Sequence, residues 1–338
     1  MRRVLATSVA LALVVPSLTS CALLGGDDHL GDALEITPDS ATRLVFRDRE
    51  AIAERLGVDD VEDGASEDDL RRYAEAVDGD PTDAEDLLTE FVVAMQDAEM
   101  SELDVRWSVG GLDDDGAFTA YRLDDEVDLG AVADALADSG YAESDLRGRR
   151  HLVLDASDDA SGLYPSNWLE VTVDPDEHLL VVGSAEGILR VVDDEAESLA
   201  DTDALDDLLD DAGDVQYALV GRPPACGSTR ATPEQLEAAG VADLGTPEAT
   251  AFVVSGDDAE LRARIELEDD DAAEADLDAR RTYLEEGDLA ATGEPVSDLG
   301  SFDLSREGSV VRVDLDLDEP TASLAAAQQQ DGFLACTP

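Results

Sequence analysis

The period of the apolar residues changes at Ser101, and that change limits the possible folds more than any other feature of the chain. Before it, apolar side chains recur three and four residues apart; beyond it, short alternating runs are interleaved with helical ones. Val105, Trp107 and Val109, then Phe118, Ala120 and the residues up to Leu123, read as two strands around an LDDDG turn. Asp128 to Gly140 follows as a helix with Leu129, Val132, Ala133 and Leu136 on one face, and His151 to Leu154 as a further strand. Leu169–Val173 and Leu179–Val182 form a hairpin about Asp174, Pro175 and Asp176, succeeded by a helix near 185–192, a short helix over 203–211 and a strand over 215–220. The last third has the same rhythm: strands 251–255 and 261–267, a helix over 272–285, a hairpin of 301–304 with 310–317, and a helix starting at Pro320. Strand, strand, helix thus occurs twice per half. The expected class is α+β: two related units, 101–222 and 247–338, each an antiparallel sheet with helices on one face. Residues 223–246, rich in Pro, Gly and Thr, read as the linker between them.

Upstream, residues 41–100 read as a helical N-terminal segment. Ala41 to Arg47 is a short apolar run, and 48–57 places Ile52, Ala53 and Leu56 at helical spacing before Gly57. Ser66 caps a helix over 66–77, with Asp69 at its third position. Residues 82–99 carry a Leu87, Leu88, Phe91, Val92, Met95 stripe that reads as core. Residues 21–40, mostly Gly, Asp and Leu without a clear period, read as a flexible tether.

The first twenty residues have another logic. Arg2 and Arg3 precede a nearly unbroken apolar run over 4–15, the layout of a secretory signal and too short to span a bilayer as a mature helix. Leu18, Thr19, Ser20 and Cys21 then resemble, residue by residue, the lipobox of bacterial lipoproteins. The resemblance implies that residues 1–20 are a signal peptide and that Cys21 is lipidated on sulfur as the mature N-terminus. Palmitate-type acyl chains would then hold the protein on the outer face of the cytoplasmic membrane, at about 0.8 kcal/mol per buried methylene. The alternative is a soluble secreted protein cleaved near Ser20, with Cys21 free or disulfide-bonded.

Residues 1–20 contain two arginines and no acid, so their removal takes the formal charge from −61 to −63. Nucleic acid is excluded as a partner, because phosphate binding requires clustered basic side chains. An anionic membrane surface would repel such a chain, which leaves a covalent lipid as the route to the bilayer. There is no lysine, and Asn167 is the one asparagine, a bias that follows from a GC-rich genome. Together with the lipobox and the segment TRLVFRDREAIAERLG over 42–57, the composition resembles uncharacterised secreted lipoproteins of actinobacteria, and the resemblance implies no activity.

Once Cys21 is assigned, Cys226 and Cys336 are left. Outside the cell such thiols pair, closing a loop of about 110 residues and contributing roughly 4–5 kcal/mol by chain entropy. The alternative is two reduced, buried cysteines.

No catalytic or cofactor motif is found. His29, in the tether, and His151 and His178 have no metal-ligand partner at helical spacing and read as solvent-exposed. Gly183-Ser184-Ala185-Glu186-Gly187 has its serine one place early for a nucleophile elbow, so Ser184 reads as a helix N-cap. The acidic loops at 59–70 and around Asp113, Asp114 and Asp115 fail the calcium-loop register, with Val61 where a ligand is needed. Weak divalent-cation binding by the acidic surface is expected, but no specific metal site. The functional expectation is a non-enzymatic binding or scaffold lipoprotein meeting an envelope protein or ligand. The alternative is an envelope hydrolase using carboxylates, which would show as acids of raised pKa in a concave, apolar pocket.

Overall fold

In the computed structural model, Arg43–Asp48 forms a strand, β1, in the middle of one antiparallel sheet. The structure describes residues 29–61, 65–77, 80, 82, 100–155, 166–202, 205–209, 212–223, 226, 237–290, 292–317 and 332–336. The further strands are β2 (Val105–Leu112), β3 (Ala117–Leu123), β4 (Ala142–Leu146), β5 (Arg149–Val153), β6 (Glu170–Asp174), β7 (Leu179–Gly183), β8 (Val215–Gly221), β9 (Ala249–Ser255), β10 (Glu260–Glu266), β11 (Gly300–Glu307) and β12 (Val310–Leu317). Their spatial order is β11-β12-β10-β9-β8-β1-β2-β3-β7-β6-β5-β4.

Strand β1 joins the two halves. Phe46 lies opposite Val109 of β2 on one side and Ala218 of β8 on the other, and Leu44 opposite Gly111 and Val220. This corrects the expected organisation in two ways. The segment 41–100 is not wholly helical, since its apolar run is the central strand. Nor do the halves form separate sheets about a linker, because β8, upstream of that linker, pairs with β9 beyond it. Each half still follows one path: a hairpin, a helix, then a meander whose last strand returns to the hairpin's second strand, β7 to β3 and β12 to β10.

The helices are α1 (His29–Ile36), α2 (Arg49–Leu56), α3 (Glu67–Val77), α4 (Leu129–Asp138), α5 (Glu186–Val192), the short α6 (Asp206–Leu209) and α7 (Asp270–Glu286). They cover both faces of the sheet, not one. On β7, Leu179 and Val181 pack with Leu30 of α1, Ile188 of α5 and Leu208 of α6, whereas Leu180 and Val182 pack with Val132 and Leu136 of α4. On β9, Ala251 and Val253 join the first group, and Phe252 and Val254 pack on the other face under α7. A strand covered on both sides loses its polar alternation and reads as a continuous apolar run, as LLVV and AFVV do.

Helix α1 lies where a tether was expected. Leu30 and Ala33 are buried on the sheet, with Leu34 and Ile36 half-buried beside them. Ser66 caps α3 as expected, accepting from the Asp69 N–H at 3.2 Å. Residues 1–28, with the signal peptide and Cys21, lie outside the described residues, as do the helix starting at Pro320 and 83–99 of the 82–99 helix. Among the described residues no helix is long and apolar enough to cross a membrane.

The C-terminal end is fixed from two directions. Cys226 and Cys336 are bridged, with Cα atoms 5.3 Å apart. Phe333 stacks on Phe252 with ring centroids 5.4 Å apart, and the buried Arg280 of α7 donates to the carbonyls of Phe333 and Ala335.

Candidate functional site

Helix α2 leaves β1 at Asp48 and separates two clefts. Asp48 is the reason the helix starts there: its extended backbone and its Oδ1, which accepts the Ala51 N–H at 2.9 Å, form an N-cap. Gly57, at φ 68°, ends the helix in the left-handed conformation, its N–H returning to the carbonyls of Ala53 and Glu54.

The larger cleft, about 730 Å³, lies between α2, α3 and the start of α4. One wall is Ala53, Val58, Val61 and Tyr73, part of a small apolar cluster under α2 and α3 that is separate from the main cores. The other is Val105 and Val127, at the margin of the core beneath α4, with Ala131 of α4 beside them in the lining. A gap between two apolar clusters that do not merge is a common place for a ligand. Its polar lining is lopsided: Glu50, Asp59, Asp104, Asp124, Glu126 and Asp128 face two guanidiniums, Arg49 and Arg106. Both guanidiniums are engaged, Arg49 with the Tyr73 hydroxyl at 3.1 Å and Arg106 with Glu50 at 3.1 Å. Several of the acids serve backbone turns, since Asp128 caps α4 through the N–H groups of Gly130 and Ala131, and Asp124 accepts from Glu126.

The smaller cleft, about 520 Å³, lies on the other side of α2, against the start of β8 and the β9–β10 turn. His29, Asp48 and Glu50 form its wall. Here the expectation of exposed histidines fails. His29 is 7% exposed and its Nδ1 is 3.0 Å from Asp48 Oδ2. His151 is half-buried, with Nδ1 2.9 Å from the Thr172 hydroxyl. The His29–Asp48 pair was hidden because nothing in the sequence shows that the chain before β1 folds back along it. The one available signal was Leu30, Ala33 and Leu34 at helical spacing.

The other candidate residues are scattered. Cys226 and Cys336 line neither cleft, and Cys21 lies outside the described residues. Ser184 is not an N-cap, because α5 starts after Ala185 and has no side-chain cap. Asp113 closes the β2–β3 turn, its Oδ1 accepting from the N–H groups of Asp115 and Gly116, as a turn residue does rather than a calcium ligand. Its Oδ2 points at α5, where a Cβ at Gly187 would collide with that oxygen. Burial raises the Asp113 pKa, yet the residue lines neither cleft, so it does not supply the acid in a concave pocket that a hydrolase requires. In the 59–70 loop, Val61 packs into the cluster under α2. Among the described residues, no group of three or more His, Cys, Asp or Glu side chains is placed to hold a metal ion.

No family model and no curated protein sequence matches the chain. Among solved structures it is similar to "Structure of crystal form I of TP0453", with a TM-score of 0.42, 10% identity and coverage of 88% of this chain and 97% of that one. Crystal form III of the same protein gives a TM-score of 0.43 at 10% identity with the same coverage. Superposition at this level carries no statement about ligand or role.

Proposed function

We propose that the chain is a lipid-anchored lipoprotein of the cell envelope, of the actinobacterial type, held through Cys21 on the outer face of the cytoplasmic membrane. In this reading the folded body is a non-enzymatic binding module. The observation that carries it is the cleft between α2, α3 and α4, whose apolar walls and six carboxylates against two engaged guanidiniums suit an amphipathic cation, such as a basic apolar peptide or an organic cation with a hydrocarbon body. The Cys226–Cys336 bridge supports export, because such bonds persist in oxidising compartments.

Two measurements test this. Metabolic labelling with palmitate should mark the wild-type chain and not Cys21→Ser, and labelling that persists in the variant would overturn the anchor. Fluorescence titration with dodecylguanidinium below its micelle concentration should show saturable binding that weakens with salt and is lost in Ala131→Trp, whose indole fills the cleft. Equal binding by the variant, or equal binding of dodecyl sulfate, would overturn the cleft as the site.

A further inference from the structure

His29 lies in α1, and its imidazole is buried where β1 ends and α2 begins. Asp48 is 6% exposed and, as a carboxylate, can only accept, so Nδ1 carries the proton of the 3.0 Å contact between them. The other ring nitrogen meets two opposite charges, Arg106 Nη2 at 3.4 Å and Glu50 Oε2 at 3.9 Å. These two neighbours suit different states of the ring. A neutral imidazole offers Nε2 as an acceptor, which matches Arg106. An imidazolium donates from both nitrogens, which matches Asp48 and Glu50 and is opposed by Arg106.

We propose that His29 is a proton-operated latch that ties α1 to the β1–α2 junction, tight when the ring is charged and slack when it is neutral. This inference does not depend on what the larger cleft binds. The charged groups around the ring are Asp48 on β1, Glu50 on α2 and Arg106 on β2. Glu54, Arg55, Asp214 and Asp257 line the same cleft farther away, and α1 adds its own Asp32 and Glu35. The Asp48 hydrogen bond dominates this balance and raises the pKa of His29 above its ordinary 6.5, against the opposing effects of burial and Arg106. A group whose pKa is raised on folding stabilises fully below its unfolded value, and the contribution is lost as pH rises through the folded value. The latch is therefore closed in acid and opens toward alkaline pH. What it releases is the His29 end of α1, which seats Leu30 on the sheet.

The test is a pH titration of the full chain in detergent solution, following the His29 ring by NMR and amide exchange over 29–36, corrected for intrinsic base catalysis. The expected result is a His29 midpoint above 6.5, with corrected exchange in α1 rising at least tenfold across it while β9 stays protected. His29→Asn keeps a donor for Asp48 but has no titrating proton, so its α1 exchange should stay at the wild type's high-pH level throughout. Arg106→Gln removes the opposing charge and should move the midpoint up, and it serves as the readout should His29→Asn fail to fold. A midpoint at or below 6.5, an unchanged midpoint in Arg106→Gln, or α1 exchange that ignores the midpoint would overturn the latch.

Discussion

Arg280 and Asp276 form an ion pair from which water is excluded altogether, both side chains having 0% exposure, with Nε 2.8 Å from Oδ2. The pair is four residues apart on α7 and works outward in two directions. Asp276 Oδ1 accepts the Gly245 N–H at 2.8 Å, and the Arg280 guanidinium reaches the Phe333 and Ala335 carbonyls at 3.1 and 3.0 Å. One guanidinium thus ties α7 to the C-terminal end and, through its carboxylate, to the chain entering β9.

Removing one partner of such a pair leaves the other charge buried. Arg280→Ala is expected to destabilise the fold by about 3–5 kcal/mol. Arg280→Lys should recover little of that, since an ammonium cannot span the carboxylate and two carbonyls in one plane. Urea unfolding midpoints decide this. A loss below about 1 kcal/mol for Arg280→Ala would mean that water enters to solvate Asp276.

Cys226 and Cys336 hold the same end of the chain, across a sequence separation of 110 residues. Cys336→Ser should cost roughly 2–5 kcal/mol. The double variant with Arg280→Ala should cost less than the sum of the two single losses, because once the end is loose the second restraint holds nothing. Strict additivity in the cycle would show that the two restraints act on different parts of the fold.

Asp113 gives a dependence on pH. Burial raises its pKa, while its Oδ1 caps the turn through the N–H groups of Asp115 and Gly116. A carboxyl whose pKa is raised on folding stabilises fully below its unfolded pKa, and that contribution disappears as pH rises through the folded value. Asp113→Asn keeps a carbonyl oxygen for the turn and carries no charge. It should therefore match the wild type in acid and become progressively the more stable as pH rises through the carboxylate range into neutrality. Unfolding midpoints at pH 3.5, 5 and 7.5 measure the difference, and a gap that shrinks with rising pH would contradict the assignment.

How much of this was legible depended on whether an element's apolar pattern survives its surroundings. The β2–β3 and β6–β7 hairpins and the β11–β12 pair stand close to where alternation and turn residues place them. Strand β4 left no trace, because Ala142–Leu146 is an edge strand whose side chains point mainly into water, and its AESDL sequence has nothing to alternate. Strand β1 was readable as an apolar run but not as the centre of a sheet, since its partners, β2 and β8, lie more than fifty and one hundred and sixty residues downstream. The site was less legible still. His29 and Asp48 meet only because α1 folds back along β1, and the walls of the larger cleft come from two apolar clusters whose separation is a matter of packing.

The surplus of acid is written into the sheet itself. Asp303 of β11 faces Asp314 of β12 directly across the ladder, at the exposed edge, and Asp316 lies two residues farther along. Like charges so placed are unfavourable by a few tenths of a kcal/mol to about 1 kcal/mol, and with a formal charge of −61 many such repulsions act together. They are screened over a Debye length of about 10 Å at 0.1 M salt. Thermal stability should accordingly rise with sodium chloride from about 0.02 M to several tenths molar. Asp303→Arg turns one repulsion into an attraction, so the variant should melt higher than the wild type at low salt, with the advantage shrinking as salt is added. Melts that are flat or falling with salt would show that the arginine pairs, such as Arg149 with Asp174 and Asp193, already balance the field. A gain for Asp303→Arg that survives high salt would assign the effect to packing instead of charge.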